Sequence, residues 1–167
     1  MATITFQNIP LHTCGQLPEI GSNAPDFSLA NSELENVSLK NYAGKRKILN
    51  IVPSLDTPTC AASARKFNQK AGNFENTVVL LISADLPFAQ CRFCEIESLD
   101  SVEALSTFRS KFAKDYGVEI CDSALAGLTA RAVVVIDEQD KIIYTQLVSE
   151  LAHEPDYEAV FVALRLV

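Results

Sequence analysis

The side chains of this 167-residue sequence that could do chemistry are its cysteines, at positions 14, 60, 91, 94 and 121. A cysteine sulfur can be a nucleophile, half of a redox couple or a small buried hydrophobe, and its surroundings decide which. Cys60 has the most informative surroundings. It closes the run Pro53-Ser54-Leu55-Asp56-Thr57-Pro58-Thr59-Cys60, in which two prolines fix backbone angles. Upstream, Lys47-Ile48-Leu49-Asn50-Ile51-Val52 reads as a short buried strand that stops at a proline. Downstream, residues 61–71 are rich in helix formers, with Ala64, Phe67 and Ala71 at helical spacing. Cys60 is therefore expected where a strand hands over to a helix, in or beside the first turn. The free N–H groups and positive dipole end found there favour a thiolate over a thiol. Arg65 and Lys66 add positive charge nearby, and Thr57 offers a hydroxyl within reach of the sulfur. Such a sulfur is a nucleophile.

The elements that must position Cys60 follow from the rest of the chain. Thr77-Val78-Val79-Leu80-Leu81-Ile82-Ser83 is apolar on both faces and so predicts a central strand. Strand, helix, strand in this order implies a parallel pair joined by a right-handed crossover. Chemistry gathers beyond the carboxyl ends of such strands, so Cys60 and the segment after Ser83 should converge. Leu86-Pro87 predicts a helix running on to Cys94, which puts Cys91 and Cys94 near one helical face. Asp100-Ser101 predicts the cap of another helix through about Tyr116, with Leu105, Phe108 and Phe112 inward and Gly117 as its stop. Ala132 to Ile136 reads as a strand, paired as a hairpin with residues 141–148, and Pro155 opens a last helix with Tyr157, Val160, Phe161 and Leu164 inward.

At the other end, residues 3–14 predict a β-hairpin and residues 15–25 a surface linker; 26–30 follow as a short strand. Gly44-Lys45-Arg46-Lys47 reads as a solvated basic turn, and Cys14 and Cys121 as structural residues.

Composition narrows the function. A hydrophobic content of 48% and a charged content of 21% are those of an ordinary globule, of a size for one domain over 1–167 with residues 1–20 as a hairpin extension. The net charge of −7 argues against nucleic acid and anionic membrane surfaces as partners. No apolar run is long enough to span a membrane, and the first residues lack the basic head and apolar core of a signal peptide. An odd, sparse cysteine set fits free thiols in a reducing compartment, so a cytoplasmic location is expected. His12 and His153 lie far from each other and from Cys60 in sequence, and no metal or other cofactor is expected.

Pro53-x-x-x-Thr57-x-x-Cys60 resembles the peroxidatic motif of peroxiredoxins, and Pro-Ser-Leu-Asp-Thr-Pro-x-Cys that of their atypical two-cysteine, thiol peroxidase branch. The likeness continues in order along the chain, through Gly21-x-x-Ala24-Pro25-Asp26-Phe27, Ser83-Ala84-Asp85-Leu86-Pro87-Phe88-Ala89-Gln90 with Arg92-Phe93-Cys94, and Ala130-Arg131-Ala132-Val133-Val134-Val135-Ile136-Asp137. The resemblance implies a thioredoxin-like α/β fold, a mixed central sheet flanked by helices. It implies Cys60 as the nucleophile that attacks hydrogen peroxide or organic hydroperoxides. Thr57 and Arg131 would bind sulfur and peroxide, and Pro53 would keep water out. Cys94 matches the family's resolving cysteine. The sequence runs out at Val167, directly after its last predicted helix, so an internal resolver is the expectation. The two sulfurs are expected to start too far apart to bond, so that disulfide formation needs local unwinding. A thioredoxin-type electron donor and a homodimer are further implications. Cys91 departs from this pattern: as part of Cys91-Arg92-Phe93-Cys94 it is a possible auxiliary thiol.

Two other functions share these residues. A thioredoxin-like disulfide reductase needs a second cysteine three residues after the first, where Ser63 stands, and a cis-proline where the chain has Thr129-Ala130-Arg131. A redox-sensing or binding module could use Cys60 alone, with no need of Thr57 or Arg131.

Overall fold

The computed structural model describes residues 1–165 and builds the chain around a mixed seven-stranded sheet. Its strands are β3 (Leu29–Ala30), β4 (Asn36–Val37), β5 (Arg46–Ile51), β6 (Thr77–Ser83), β7 (Val102–Ser106), β8 (Ala132–Ile136) and β9 (Ile142–Leu147), in the order β4-β3-β7-β6-β5-β8-β9. β5, β6 and β7 run parallel, and β8 lies antiparallel to β5. The helices are α1 (Pro58–Ala71), α2 (Pro87–Ile96), the single turn α3 (Phe112–Asp115) and α4 (Tyr157–Arg165). Apart from the sheet, β1 (Thr3–Phe6) and β2 (Ile9–His12) form the expected hairpin, turned through Gln7 and Asn8 at positive φ. This is a thioredoxin-like α/β fold.

The continuous apolar runs of β5, β6 and β8 arise because both sheet faces are covered. Leu49, Ile51, Leu80, Ile82 and Val134 pack on one side with Phe27, Phe112 and Tyr116. Ile48, Val79, Val133 and Val135 point the other way, onto Phe67 of α1 and Val160, Phe161 and Leu164 of α4. The Phe67 ring lies edge-on to Tyr157 and Phe161, with centroids 5.2 and 6.0 Å away. Truncating a side chain so placed costs about 3–5 kcal/mol. This packing fixes α1, and hence Cys60, against the sheet.

Three expectations require correction. The helix predicted over about 100–116 is instead β7 followed by a loop and α3. Val102 to Ser106 pair in parallel with Val79 to Ser83, so the ladder of a central strand overrides a helical pattern that rested on a few apolar residues. Leu105 is buried as expected, whereas Phe108 is 44% exposed. The strand expected over 26–30 is only Leu29–Ala30, because the Asp26 carboxylate accepts bonds from Phe27 N and Leu39 N and turns the chain there. The basic segment is no solvated turn beyond Lys45. Arg46 and Lys47 belong to β5, Arg46 donates to the carbonyls of Leu164 and Glu75, and the wholly buried Lys47 ammonium pairs with the Asp140 carboxylate. A lysine stem is apolar enough to lie in a sheet while its head reaches the β8–β9 turn. Gly117 has the positive φ of a stop, +68°, and its missing side chain also lets the Gln16 backbone cross against it.

Candidate active site

Cys60 is the third residue of α1. Thr57 caps that helix from an extended conformation, its Oγ1 accepting from Cys60 N at 3.3 Å, and Pro58 at the first helical position sets the backbone angle. The sulfur is wholly buried. Opposite stands Arg131, 2% exposed, whose Nη2 donates to Cys60 Sγ at 3.3 Å and whose Nε donates to Leu151 O at 3.0 Å. Strand register brings the two together. Ile51 pairs with Ala132, so the residue before β8 meets the loop after β5, and Thr129 Oγ1 braces that junction through Val52 O at 2.7 Å. Two sources of positive potential act on the sulfur, and their sizes differ. A helix terminus contributes about 0.3–1 kcal/mol at a surface and up to about 2 kcal/mol in a partly buried geometry, whereas unit charges 4 Å apart attract by about 4 kcal/mol at an effective dielectric of 20. The guanidinium dominates.

The third guanidinium nitrogen, Nη1, is buried with no protein acceptor among the described residues. The Arg131 side chain also borders an apolar pocket of about 330 Å³, walled by Phe6, Pro53, Leu125, Leu128 and Leu151 and edged by Thr57. Phe6 belongs to the N-terminal hairpin, so that extension helps form the pocket. Arg65 and Lys66, expected near the sulfur, face away from it: Arg65 pairs with Glu97 at 2.6 Å and Lys66 lies over the Tyr157 ring. Residues five and six places after a cysteine on a helix cannot all share its face. The Thr57 hydroxyl is engaged by Cys60 N and Ser54 O, 3.4 Å away, rather than by the sulfur.

Cys94 lies on α2 and is half-buried, packed against the cluster of Val52, Leu55, Cys60, Ala64, Leu81 and Leu99. Cys60 and Cys94 are free thiols. Burial, and secondarily the neighbouring Cys91, push the Cys94 thiol above its ordinary value. Cys91 is exposed, its sulfur 3.7 Å from Glu95 Oε1. Pro53, Thr57, Cys60 and Arg131 thus meet at one place, Cys94 approaches through a shared apolar cluster, and Cys91 stays at the surface.

A family model described as Redoxin matches residues 19–161. The chain belongs to the redoxin family. This redoxin is 50% identical over 164 residues to a thiol peroxidase of Corynebacterium glutamicum, a match covering 98% of this chain and 99% of that one. It is also similar to the crystal structure of a peroxiredoxin-like protein from Aquifex aeolicus, with a TM-score of 0.94, 35% identity and coverage of 99% and 97% of the two chains. A thiol peroxidase from Chromobacterium violaceum shares the fold, with a TM-score of 0.91 at 22% identity over 98% and 95% of the chains. The redoxin is thus of the thiol peroxidase and peroxiredoxin kind. Among its described residues no three His, Cys, Asp or Glu side chains gather as a metal site, and no helix is long and apolar enough to cross a membrane.

One residue of the redoxin's site enters the sequence reading only as part of a motif. Asp85, just past β6, accepts from Ser54 Oγ at 3.0 Å, Leu55 N at 2.8 Å and Ser83 Oγ at 2.7 Å. Ser83 Oγ in turn accepts from Gln90 Nε2 on α2 at 3.0 Å. The carboxylate therefore ties the loop before Cys60 to the end of β6 and, through Ser83, to the helix of Cys94. Only contact across the fold reveals this, although the expected convergence of the two strand ends pointed to the place. Asp85→Ala leaves three donors without their acceptor, and we expect a loss of about 2–4 kcal/mol of stability in urea unfolding. A midpoint within experimental error of the parent's would show that the carboxylate does not hold the loop.

Proposed function

We propose that this redoxin is a thiol peroxidase that reduces hydrogen peroxide and alkyl or lipid hydroperoxides through Cys60. The observation that carries this reading is the buried guanidinium of Arg131, 3.3 Å from a sulfur at a helix start and with one nitrogen free of partners among the described residues. The Cys60 thiolate attacks the terminal peroxide oxygen, the O–O bond breaks, and the departing alkoxide or hydroxide takes up a proton. Cys60 becomes a sulfenic acid. Arg131 offsets negative charge on the sulfur, and its free Nη1 is suited to the peroxide oxygens as charge moves onto them. Thr57 holds the loop through its bonds to Cys60 N and Ser54 O and borders the same pocket. Pro53 and the apolar wall keep water from the sulfur and give the alkyl part of an organic hydroperoxide a place to lie.

Cys94 then attacks the Cys60 sulfenic sulfur, water leaves, and an intramolecular Cys60–Cys94 disulfide forms. Because Cys60 is wholly buried, the first turn of α1 and part of α2 unwind for this step. A thioredoxin-type dithiol returns both thiols. The protein works as one domain in the cytoplasm and as a homodimer; Leu86, Phe88 and Ile96, exposed along α2, supply an apolar surface for a second copy. The reductase alternative finds no support at its second position. There Ser63 is buried, bonded to Cys60 O at 3.3 Å and Asn50 Nδ2 at 3.1 Å. The full chain supplied with thioredoxin and its reductase should consume hydrogen peroxide catalytically; no consumption above the uncatalysed rate would end this reading.

The raised Cys94 thiol gives the resolving step a pH dependence. A group held above its ordinary value of 9.0 is mostly protonated at neutral pH, so its thiolate fraction keeps growing through pH 9. We expect disulfide formation, followed by rapid quench and alkylation, to accelerate about tenfold per pH unit from about pH 7 to 9. A rate independent of pH would mean that Cys94 does not attack as a limiting thiolate.

A further inference from the structure

Two cysteines take no part in this mechanism. Cys14 follows the second hairpin strand, and Cys121 lies on the segment leading toward β8. These stretches pair antiparallel at Thr13 and Ile120, with Cys14 N donating to Glu119 O and Cys121 N to His12 O, both at 2.8 Å. Thr13 and Ile120 are wholly buried. Their successors Cys14 and Cys121 therefore point outward on one face, as diagonal cross-strand neighbours, and both are exposed. The Cys121 thiol is held above its ordinary value by desolvation, then by the charge and hydrogen bond of the neighbouring Cys14 thiol, with Glu119 and Asp122 adding to the effect. His12 stands directly across from Cys121, its Nδ1 2.6 Å from Asp122 Oδ2. A carboxylate accepts, so Nδ1 carries the proton of this bond.

We propose that Cys14 and Cys121 form a second redox-active dithiol, which closes to a surface disulfide under sustained hydroperoxide. Cys14 sulfur attacks a peroxide oxygen, the O–O bond breaks, and water or an alcohol leaves carrying the thiol proton. Cys121 sulfur then attacks the Cys14 sulfenic acid, giving up its own proton, and water leaves. Two thiols are oxidised, one hydroperoxide is reduced and one S–S bond forms. No arginine bonds either sulfur among the described residues, so the dithiol reacts at about the rate of an ordinary thiol, far behind Cys60. Its product staples the hairpin, which carries Phe6 of the pocket wall, to a segment distant in sequence. A long closed loop of this kind constrains the unfolded chain strongly.

The full chain carrying Cys60→Ser is treated with excess hydrogen peroxide, quenched with catalase, alkylated, digested without reduction and mapped by mass spectrometry. The wild-type chain, treated in parallel, serves as a control for delivery of oxidant. We expect a Cys14–Cys121 cross-linked peptide that is absent from the further variant Cys14→Ser and reversed by dithiothreitol. The cross-link should raise Tm by roughly 5 °C or more. Cys14→Ser in the otherwise wild-type chain should keep its peroxide turnover within about twofold, as expected of surface changes away from a site. Recovery of Cys14 and Cys121 as alkylated thiols, as separate sulfinic acids, or joined to other cysteines would overturn the proposal.

Discussion

Given one equivalent of hydrogen peroxide, the Cys94→Ser protein is expected to consume it rapidly, with Cys60 recovered as a sulfenic acid; the Cys60→Ser protein should consume it only at the slow rate of an ordinary thiol. With a thioredoxin-type donor, steady-state turnover falls by at least about a hundredfold in the first variant and to the uncatalysed rate in the second. The asymmetry follows from where the two sulfurs sit. Cys60 has the guanidinium and the helix start beside it, and its neighbours Thr57 and Arg131 border the apolar pocket, so its oxidation should need nothing from α2. Cys94 is half-buried in the cluster it shares with Cys60, and its thiol is pushed up rather than activated, which suits a second attack on an already electrophilic sulfur. Chemical trapping of sulfenic acid followed by peptide mapping reads the outcome. Equal single-turnover loss in both variants would make the two cysteines one unit from the first step and contradict this order.

Arg131→Met should slow single-turnover oxidation of Cys60 by about 10²–10³, the usual cost of removing one preorganised donor from a developing charge. The same substitution leaves the Leu151 carbonyl without its partner, a loss of about 1–3 kcal/mol of stability, so rates must be read on protein shown to be folded. Arg131→Lys separates charge from geometry. An ammonium keeps the charge but lacks the planar fork that bonds Leu151 O and Cys60 Sγ and leaves a third nitrogen unpaired among the described residues. Lysine is therefore expected between the two, slower than arginine by about tenfold. Stopped-flow mixing with hydrogen peroxide measures all three. Rates unchanged by Arg131→Met would leave the helix start as the sole activator, which its size does not support.

Local sequence made the Cys60 end of the site legible. A strand, a proline-rich turn and a helix within about two dozen residues are set by propensity and capping, and they stand where expected. Arg131 was legible only through family resemblance, because its approach to Cys60 depends on the pairing of Ile51 with Ala132, a long-range register. The strand at 102–106 failed for the same reason: pairing with β6, not its own pattern, decides its conformation. Lys47 looked solvated because charge is usually exposed, yet its partner Asp140 is supplied by a distant turn. Asp85 and the facing of Cys14 toward Cys121 are likewise products of tertiary closure, for which single-sequence patterns carry no signal.

The most direct measurement is the second-order rate of hydrogen peroxide with reduced Cys60 in the Cys94→Ser chain, set beside that of free cysteine at the same pH. A site that joins a helix start, a buried guanidinium and an apolar pocket should exceed the free thiol by at least about 10³. A rate within about tenfold of free cysteine would mean that the surroundings of this sulfur do no catalysis.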